Sequence, residues 1–217
     1  METINELAAG ERTARIILAM VSEPADAATG RMVRTWGATE TVARILGAGV
    51  PGGSDGDTWQ RRLAPRIDVG QIKRVLADTE RHGLRVLIPR DAEWPGGVDA
   101  LGDGAPLALW AKGDAGLLTA PVWERVTVTG ARAATGYGEH VAMELAAAAI
   151  TDMRQVVSGG AYGIDGATHR AALASGGSTV AVMAGGLDRL YPAGHTELLT
   201  RVGKDSLLLS EMPPGAA

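Results

Sequence analysis

The feature of this sequence that most restricts its fold is an alternation of short apolar runs with helical segments after Pro121. The runs occupy residues 126–129, 155–158, 179–183 and 207–210. Between the first two, apolar residues recur at every fourth position, as one stripe on a helix requires. Strand–helix–strand units repeated three times favour a parallel sheet with right-handed crossovers and helices on both faces. We therefore predict a Rossmann-like α/β domain over residues 121–217.

The part of the chain before this domain has a different pattern. Apolar residues between positions 6 and 46 recur at helical spacing and are interrupted by Pro24 and Gly37, which predicts two or three short helices. Residues 47–58 carry five glycines and little to bury, so a flexible connection is expected there. A further helix is predicted over 68–82 and a short strand over 85–89. We interpret residues 1–82 as a small helical N-terminal domain and 83–120 as a connecting segment.

The composition excludes several classes of protein. The 217 residues are 46% hydrophobic and 21% charged, which suits a packed core. There is no run of about eighteen apolar residues and no signal-peptide pattern at the start, so a cytoplasmic protein with no membrane contact is expected. The absence of cysteine excludes disulfides and thiolate metal sites, and we expect neither a metal nor a cofactor. A net charge of −4 means that any polyanion must be held by a local site.

Three glycine-rich loops follow the first three runs, at residues 130–138, 158–165 and 184–188. The carboxyl ends of parallel strands meet at one edge of a sheet, and ligands of such folds bind there. Glycine turns at helix starts present backbone N–H groups that favour phosphate, and Arg132 is a candidate bidentate clamp. The alternative is that these glycines only make tight turns. The sequence predicts a phosphate-binding site formed by Gly130, Arg132, Thr135, Ser158, Gly159, Gly160, Gly163, Asp165, His169, Gly185 and Gly186.

The loops lack the standard nucleotide-binding fingerprints. There is no G-x-x-x-x-G-K-[ST] motif, and the first loop has the spacing G-x5-G-x-G rather than the dinucleotide pattern G-x-G-x-x-G. Asp165 and His169 lie four residues apart on one predicted helix. A catalytic pair is one interpretation, and a structural or ligand-orienting role is preferred. Three tyrosines adjoin the loops and fit base stacking or core packing equally well, namely Tyr137, Tyr162 and Tyr191.

The motifs in these loops resemble those of a known family, the bacterial DNA-processing proteins called DprA or Smf. As they stand here, the motifs are Gly130-Ala131-Arg132, Thr135-Gly136-Tyr137-Gly138, Ser158-Gly159-Gly160-Ala161-Tyr162-Gly163-Ile164-Asp165 with His169, the stretch from Ala181-Val182 to Tyr191-Pro192, and Ser210-Glu211-Met212-Pro213-Pro214-Gly215. The similarity covers about residues 83–217 in the same order. Ala131 and His195 depart from the family's usual serine and asparagine.

This resemblance implies a function that the residue patterns alone do not specify. It implies binding and protection of single-stranded DNA during natural transformation, with Arg132 holding a phosphate and the amides of residues 158–163 lining the same pocket. It also implies loading of the RecA recombinase and no enzymatic activity. The family's domain continues beyond the proline-glycine motif with further strands and a basic segment. We therefore expect either a fragment or a short relative here, and homodimerisation stays open.

A nucleotide-binding or nucleotide-cleaving enzyme is the alternative. Related Rossmann-like phosphoribohydrolases carry P-G-G-x-G-T-x-x-E, and Pro51-Gly52-Gly53-Ser54-Asp55-Gly56 is superficially similar to it. The threonine and the glutamate are out of place, and the stretch follows no predicted strand. We therefore interpret it as part of a linker.

Overall fold

The structure is a computed structural model that describes residues 3–48 and 54–216. In this part of the chain the α-helices are α1 (Ile4–Leu7), α2 (Glu11–Val21), α3 (Ala27–Trp36), α4 (Ala38–Ala43), α5 (Ser54–Leu63), α6 (Val69–Arg81), α7 (Gly136–Thr151), α8 (Ile164–Ala174) and α9 (Thr196–Asp205). The strands are β1 (Arg85–Leu87), β2 (Leu109–Gly113), β3 (Arg125–Thr127), β4 (Gln155–Ser158), β5 (Thr179–Val182) and β6 (Leu207–Ser210).

These strands form one mixed sheet in the order β1-β2-β6-β5-β4-β3. Strands β3, β4, β5 and β6 are parallel neighbours. Strand β2 is antiparallel to both β1 and β6. Because two antiparallel pairings restore the direction, β1 runs the same way as β3 to β6 and ends at the same edge of the sheet. The Rossmann-like α/β class expected from the sequence is confirmed.

The segment 83–120, expected to connect two domains, contributes two strands to this sheet. β1 begins where the sequence predicts a strand, whereas β2 was not predicted. Leu109, Trp110 and Ala111 are buried because β2 lies between β1 and β6. This strand has only five residues, and the proline, glycine and aspartate residues on both sides of it are typical of a loop, so the sequence did not predict it.

The helical region has the predicted breaks and differs from expectation in one segment. α2 ends before Pro24, and Gly37, with a φ of 80°, separates α3 from α4. The flexible connection expected over 47–58 is wrong for residues 54–58, which belong to α5. Trp59 and Leu63, one turn apart on α5, are buried among the other helices and hold this segment in place. Residues 47–48 also belong to a helical segment, as the end of the π-helical turn Arg44–Ala48, and residues 49–53 lie outside the described residues.

Helix α2 joins the helical region to the sheet. Its Ile17 and Leu18 are fully buried in a core made by the helices. Its Ile16 packs in a second core together with Trp110 of β2 and Leu208 of β6. The two cores therefore share one helix and form one packed body.

The two faces of the sheet are covered differently. The crossovers from β3 to β6 advance in one direction along the sheet, so right-handed connections place α7, α8 and α9 on one face. The other face packs against short helical segments, Gly96–Gly104 and Ala115–Thr119, and leaves Val182 47% exposed. The expected covering by long helices is thus met on one face. Within the described residues, no helix is both long and apolar enough to cross a membrane.

Candidate functional site

The three glycine-rich loops meet at the carboxyl edge of the parallel strands. They follow β3, β4 and β5, which are neighbours in the sheet, so the loops lie side by side. A cleft of about 90 Å³ opens between them, and we call it the loop cleft. Of the predicted site residues, it brings together Arg132, Gly159, Gly185 and Gly186.

Two arginines give the loop cleft its positive charge. Arg132 comes from the first loop and Arg189 follows the third, and both line the cleft with exposed side chains. Neither forms an ion pair or a side-chain hydrogen bond with any other described residue. No carboxylate is among the described residues that line this cleft. A guanidinium with unused N–H groups is suited to a bidentate contact with phosphate.

The buried carboxylate of Asp165 fixes the loops relative to each other. Its Oδ1 accepts a hydrogen bond from Thr129 Oγ1 at 2.9 Å, and its Oδ2 accepts one from the N–H of Ala161 at 3.3 Å. Asp165 is only 5% exposed. Both carboxylate oxygens therefore link the loops after β3 and β4, which favours a ligand-orienting role over that of a catalytic acid.

Glycine is required where the first two loops touch. Gly163 has a φ of 70°, and a Cβ atom there would lie 2.3 Å from the carbonyl oxygen of Ala131. The N–H of Ile164 donates to that same carbonyl at 3.3 Å. A Cβ atom at Gly159 would lie 2.7 Å from Asp165 Oδ2. These glycines allow the loops to pack closely, and this packing places the backbone of Gly159 at the cleft.

Besides Asp165, two further predicted site residues have buried side chains. Ser158 is 3% exposed and donates its hydroxyl proton to the carbonyl of Val128 at 2.7 Å. His169 is fully buried, and its Nδ1 lies 2.9 Å from Thr179 Oγ1. Because Thr179 Oγ1 donates to the carbonyl of Val156 at 3.0 Å, it accepts from His169, whose Nδ1 carries the proton. Burial lowers the pKa of His169 to about 4, so its ring is neutral, and its hydrogen bond ties α8 to the start of β5 within the core.

The remaining predicted residues shape the first two loops without lining the cleft. Thr135 caps α7 by accepting a hydrogen bond from the N–H of Gly138 at 3.1 Å. Gly130 lies against Ile164, where a Cβ atom would approach Cγ1 to 2.8 Å. Gly160, with a φ of 75°, packs towards the core.

The third loop is held by the proline-glycine motif near the end of the chain. The N–H of Gly186 donates to the carbonyl of Ala216 at 2.9 Å, and Asp188 Oδ1 accepts from the N–H of Gly215 at 2.9 Å. A Cβ atom at Gly186 would lie 2.5 Å from the carbonyl oxygen of Pro213. This motif therefore positions the third loop.

Sequence reasoning did not single out Arg189. The signal that points to it is its place directly after Asp188, in a loop at the carboxyl end of a strand. Among the described residues, no group of three or more histidine and carboxylate side chains is arranged to hold a metal ion.

The three tyrosines near the loops are exposed. Tyr137 is 79%, Tyr191 71% and Tyr162 45% exposed. Tyr162 is fixed in place, because its Oη accepts from the N–H of Gly194 at 3.1 Å and its ring meets His195 edge to face with centroids 4.8 Å apart. Between the two interpretations left open by the sequence, this exposure favours base stacking over core packing.

Comparisons with known proteins agree with the sequence resemblance. The family model described as DNA recombination-mediator protein A matches residues 85–217. A Mycobacterium tuberculosis protein assigned as a DNA processing protein DprA is 44% identical over 209 residues, which cover 91% of this chain and 52% of the relative. The DNA processing protein DprA of Bacillus subtilis is 33% identical over 144 residues, which cover 66% of this chain and 48% of the relative. The chain thus spans about half the length of these curated relatives.

Solved structures give the same result. The X-ray structure of DNA processing protein A from Streptococcus pneumoniae matches with a TM-score of 0.70 and 26% identity, over 100% of this chain and 70% of that one. A structure of DNA processing protein A from Helicobacter pylori, described by its single-stranded DNA binding mode, matches with a TM-score of 0.54 and 28% identity, over 62% and 58%. The first match includes the helical region as well as the sheet.

Proposed function

The chain belongs to the family of DNA recombination-mediator protein A, and from this membership we propose that it binds single-stranded DNA in the loop cleft. The Helicobacter pylori relative is described by its binding of single-stranded DNA, and the sheet edge carrying the cleft is where ligands of α/β folds bind.

The observation that carries this proposal is that two arginines without an ion-pair partner among the described residues line a glycine-rich cleft. Arg132 and Arg189 come from two different loops and line the same cleft, so we expect a phosphate bound there to meet positive charge from both loops. The backbone of Gly159, Gly185 and Gly186 borders the same space without side chains that would keep a phosphate away. Such a site grips the sugar-phosphate backbone and reads no base sequence.

The exposed tyrosines add contacts that suit a single strand. Stacking of a base on an aromatic ring contributes about 1–3 kcal/mol per base and needs unpaired bases. Tyr162 and Tyr191 both line the loop cleft. We therefore expect binding of single strands to exceed binding of duplex DNA of the same length.

The proposal extends to the role of the bound strand. As a recombination mediator, the protein would protect a single strand during DNA uptake in the cytoplasm and assist its transfer to the RecA recombinase. Support comes from the family's name and from the sequence motifs shared with DprA proteins. Contact with RecA and homodimerisation are parts of this proposal that need assays of their own.

A nucleotide-cleaving function has little support from the site. The superficially similar motif at 51–56 lies partly outside the described residues, and its last three positions are in α5, away from any strand end. Asp165 has both oxygens occupied by Thr129 and Ala161. Incubation with nucleoside monophosphates followed by chromatography of released base separates the two functions, because the binding protein releases none.

The test of the proposed function is fluorescence anisotropy with a labelled poly-dT strand at several salt concentrations. Arg132→Ala and Arg189→Ala should each weaken binding to every sequence, and each should reduce the slope of log K against log salt by about 0.7, the value for one lost phosphate contact on a single strand. Arg154→Ala is the matched control, because Arg154 is exposed and precedes β4 at the opposite edge of the sheet.

Two outcomes would count against the proposal. Absence of binding at low salt contradicts it outright. Equal losses in the Arg154→Ala control and in Arg132→Ala would show that overall charge, rather than the loop cleft, attracts the strand.

A further inference from the structure

A second cationic cleft lies between the helical region and the loop after β1, and we call it the junction cleft. It has a volume of about 360 Å³ and is lined mainly by Glu11 and Arg15 of α2, Arg34 of α3, and Pro89 and Arg90 after β1. We propose that the junction cleft binds a second backbone phosphate of the same single strand. This inference rests on the proposed function and extends the DNA track from the sheet onto the helical region.

Arg90 presents a free guanidinium to the junction cleft. It is exposed, and it forms no ion pair or side-chain hydrogen bond with the other residues that the structure describes. Its φ of 86° lies in the left-handed region that residues other than glycine rarely adopt. Strained residues of this kind persist where their surroundings enforce them, and they cluster at ligand sites.

The surroundings of Arg90 hold its loop rigidly. The N–H of Asp91 donates to the carbonyl of Ile88 at 3.0 Å, and Asp91 Oδ2 accepts from the N–H of Ile88 at 2.9 Å. Arg12 of α2 then clamps the same carboxylate with two hydrogen bonds of 2.7 and 2.8 Å. The loop is therefore closed on itself and tied to α2, which fixes Arg90 at the junction.

The charges around the junction cleft leave a positive excess. Glu11 is the acid among its described lining residues, and it is neutralised by Arg15, whose Nε lies 2.7 Å from Oε1. Arg34 pairs with Asp103 at 2.5 Å, yet its side chain stays 64% exposed. With these two pairs balanced, the charge of Arg90 is uncompensated and available to an anion.

The junction cleft and the loop cleft lie along one line. β1 runs parallel to β3, and both clefts follow carboxyl ends of strands, so they lie at the same edge of the sheet. Apart from Arg132, the residues that line the loop cleft follow β4 and β5, which lie three and four strand intervals from β1, and at the usual spacing this amounts to roughly 14–19 Å. An extended strand of several nucleotides covers this distance, whereas a very short strand fills the loop cleft alone.

The test uses Arg90→Gly, because glycine adopts the φ of 86° without strain and the variant loses the guanidinium without losing the loop. Anisotropy is measured with labelled oligo-dT of about 2 and about 16 nucleotides over a range of salt, because a dinucleotide carries a single internal phosphate and occupies one cleft only. For the long strand we expect Arg90→Gly to bind several-fold more weakly and the salt slope to fall by about 0.7. For the short strand we expect the parent affinity, and Arg154→Ala should match the parent chain with both.

The outcomes separate this inference from the proposed function. If Arg132→Ala loses binding and Arg90→Gly keeps the parent affinity and slope for the long strand, the loop cleft stands and the junction cleft is not part of the track. If inorganic phosphate at matched ionic strength raises the melting temperature of the parent chain but not of Arg90→Gly, while strand binding is unchanged, the ligand is a free anion and the inference is wrong. If the parent chain binds neither strand, the proposed function fails and the inference with it.

Discussion

His169 couples the stability of the fold to pH. Burial lowers its pKa to about 4 in the folded protein, whereas the ring has a pKa of about 6.5 in an unfolded chain. Between these values the unfolded chain binds more protons than the folded protein does. The contribution of His169 should therefore lower the free energy of unfolding as the pH drops below about 6.5, by about 3 kcal/mol in total, and this contribution should level off below about pH 4.

The matched variant for this prediction is His169→Asn, whose amide N–H can still donate to Thr179 Oγ1 but does not titrate. Urea unfolding is measured at about pH 7.5 and about pH 4.5, on either side of the transition. The parent should lose more stability than the variant between the two, because the carboxylates contribute equally to both proteins. An equal loss in the two proteins would mean that His169 does not titrate in this range.

Single residues show where prediction from sequence reaches its limit. Arg132 was predicted from its position in a glycine loop, and it lines the cleft. Ser158 and His169 carry the same polar signal beside the same loops, yet both are buried. The sequence places a residue next to a strand end but does not tell whether its side chain points outward or inward. Arg189 was missed because no fingerprint marks it.

At the scale of elements, an ion pair between Arg12 and Asp91 joins α2 to the loop after β1. Hydrogen bonds from Arg12 are the main reason that the pKa of Asp91 lies below its usual range. A carboxylate with a lowered pKa contributes stability above its unfolded pKa of about 3.9 and loses it as the pH falls through the folded value. Asp91→Asn should therefore reduce the free energy of unfolding at pH 7 by about 1–3 kcal/mol, with the difference from the parent shrinking below about pH 4.

Urea unfolding over a pH series measures this effect. The control is Glu23→Gln, which removes an ion pair with Arg66 at 2.8 Å whose carboxylate side chain is 67% exposed. Exposed pairs contribute little, so this control should stay close to the parent. Equal effects of the two substitutions would mean that the bond from α2 to the loop adds nothing beyond a surface pair.

The elements themselves were largely predictable. Strands β4 and β6 have the bounds that their apolar runs indicate, since buried parallel strands are continuous apolar segments. Strand β2 was not predicted because its apolar core is short and stands among turn-forming residues. Residues 54–58 were misjudged because their glycine and aspartates suggest a loop, while the packing of Trp59 and Leu63 makes them helical. Both errors arise where tertiary contacts override local composition.

At the scale of the whole molecule, the distribution of charge matters more than its sum. The chain has a net charge of −4, which by itself predicts no affinity for DNA. The structure nevertheless gathers Arg132 and Arg189 at one end of a sheet edge and Arg90 at the other. Weak bulk attraction combined with a few local contacts predicts modest affinity that depends strongly on salt.

The shared helix α2 also predicts how the molecule unfolds. Ile17 belongs to the helical core and Ile16, its neighbour on the same helix, to the core of the sheet. Loss of α2 would therefore expose both cores, and the helical region and the sheet should unfold together. Ile17→Ala, made at a fully buried position, should lower the free energy of unfolding by about 2–4 kcal/mol.

Native-state hydrogen exchange followed by mass spectrometry tests this coupling, because it reports on each element separately. If unfolding is concerted, Ile17→Ala should speed exchange of the β5 amides, far from the substitution, by the same factor as in α2, about 30- to 1000-fold. Leu145→Ala, at a 54% exposed position of α7, serves as the control and should change exchange in β5 little. Faster exchange confined to the helices would show two independent units, and the junction cleft would then lie between parts that can separate.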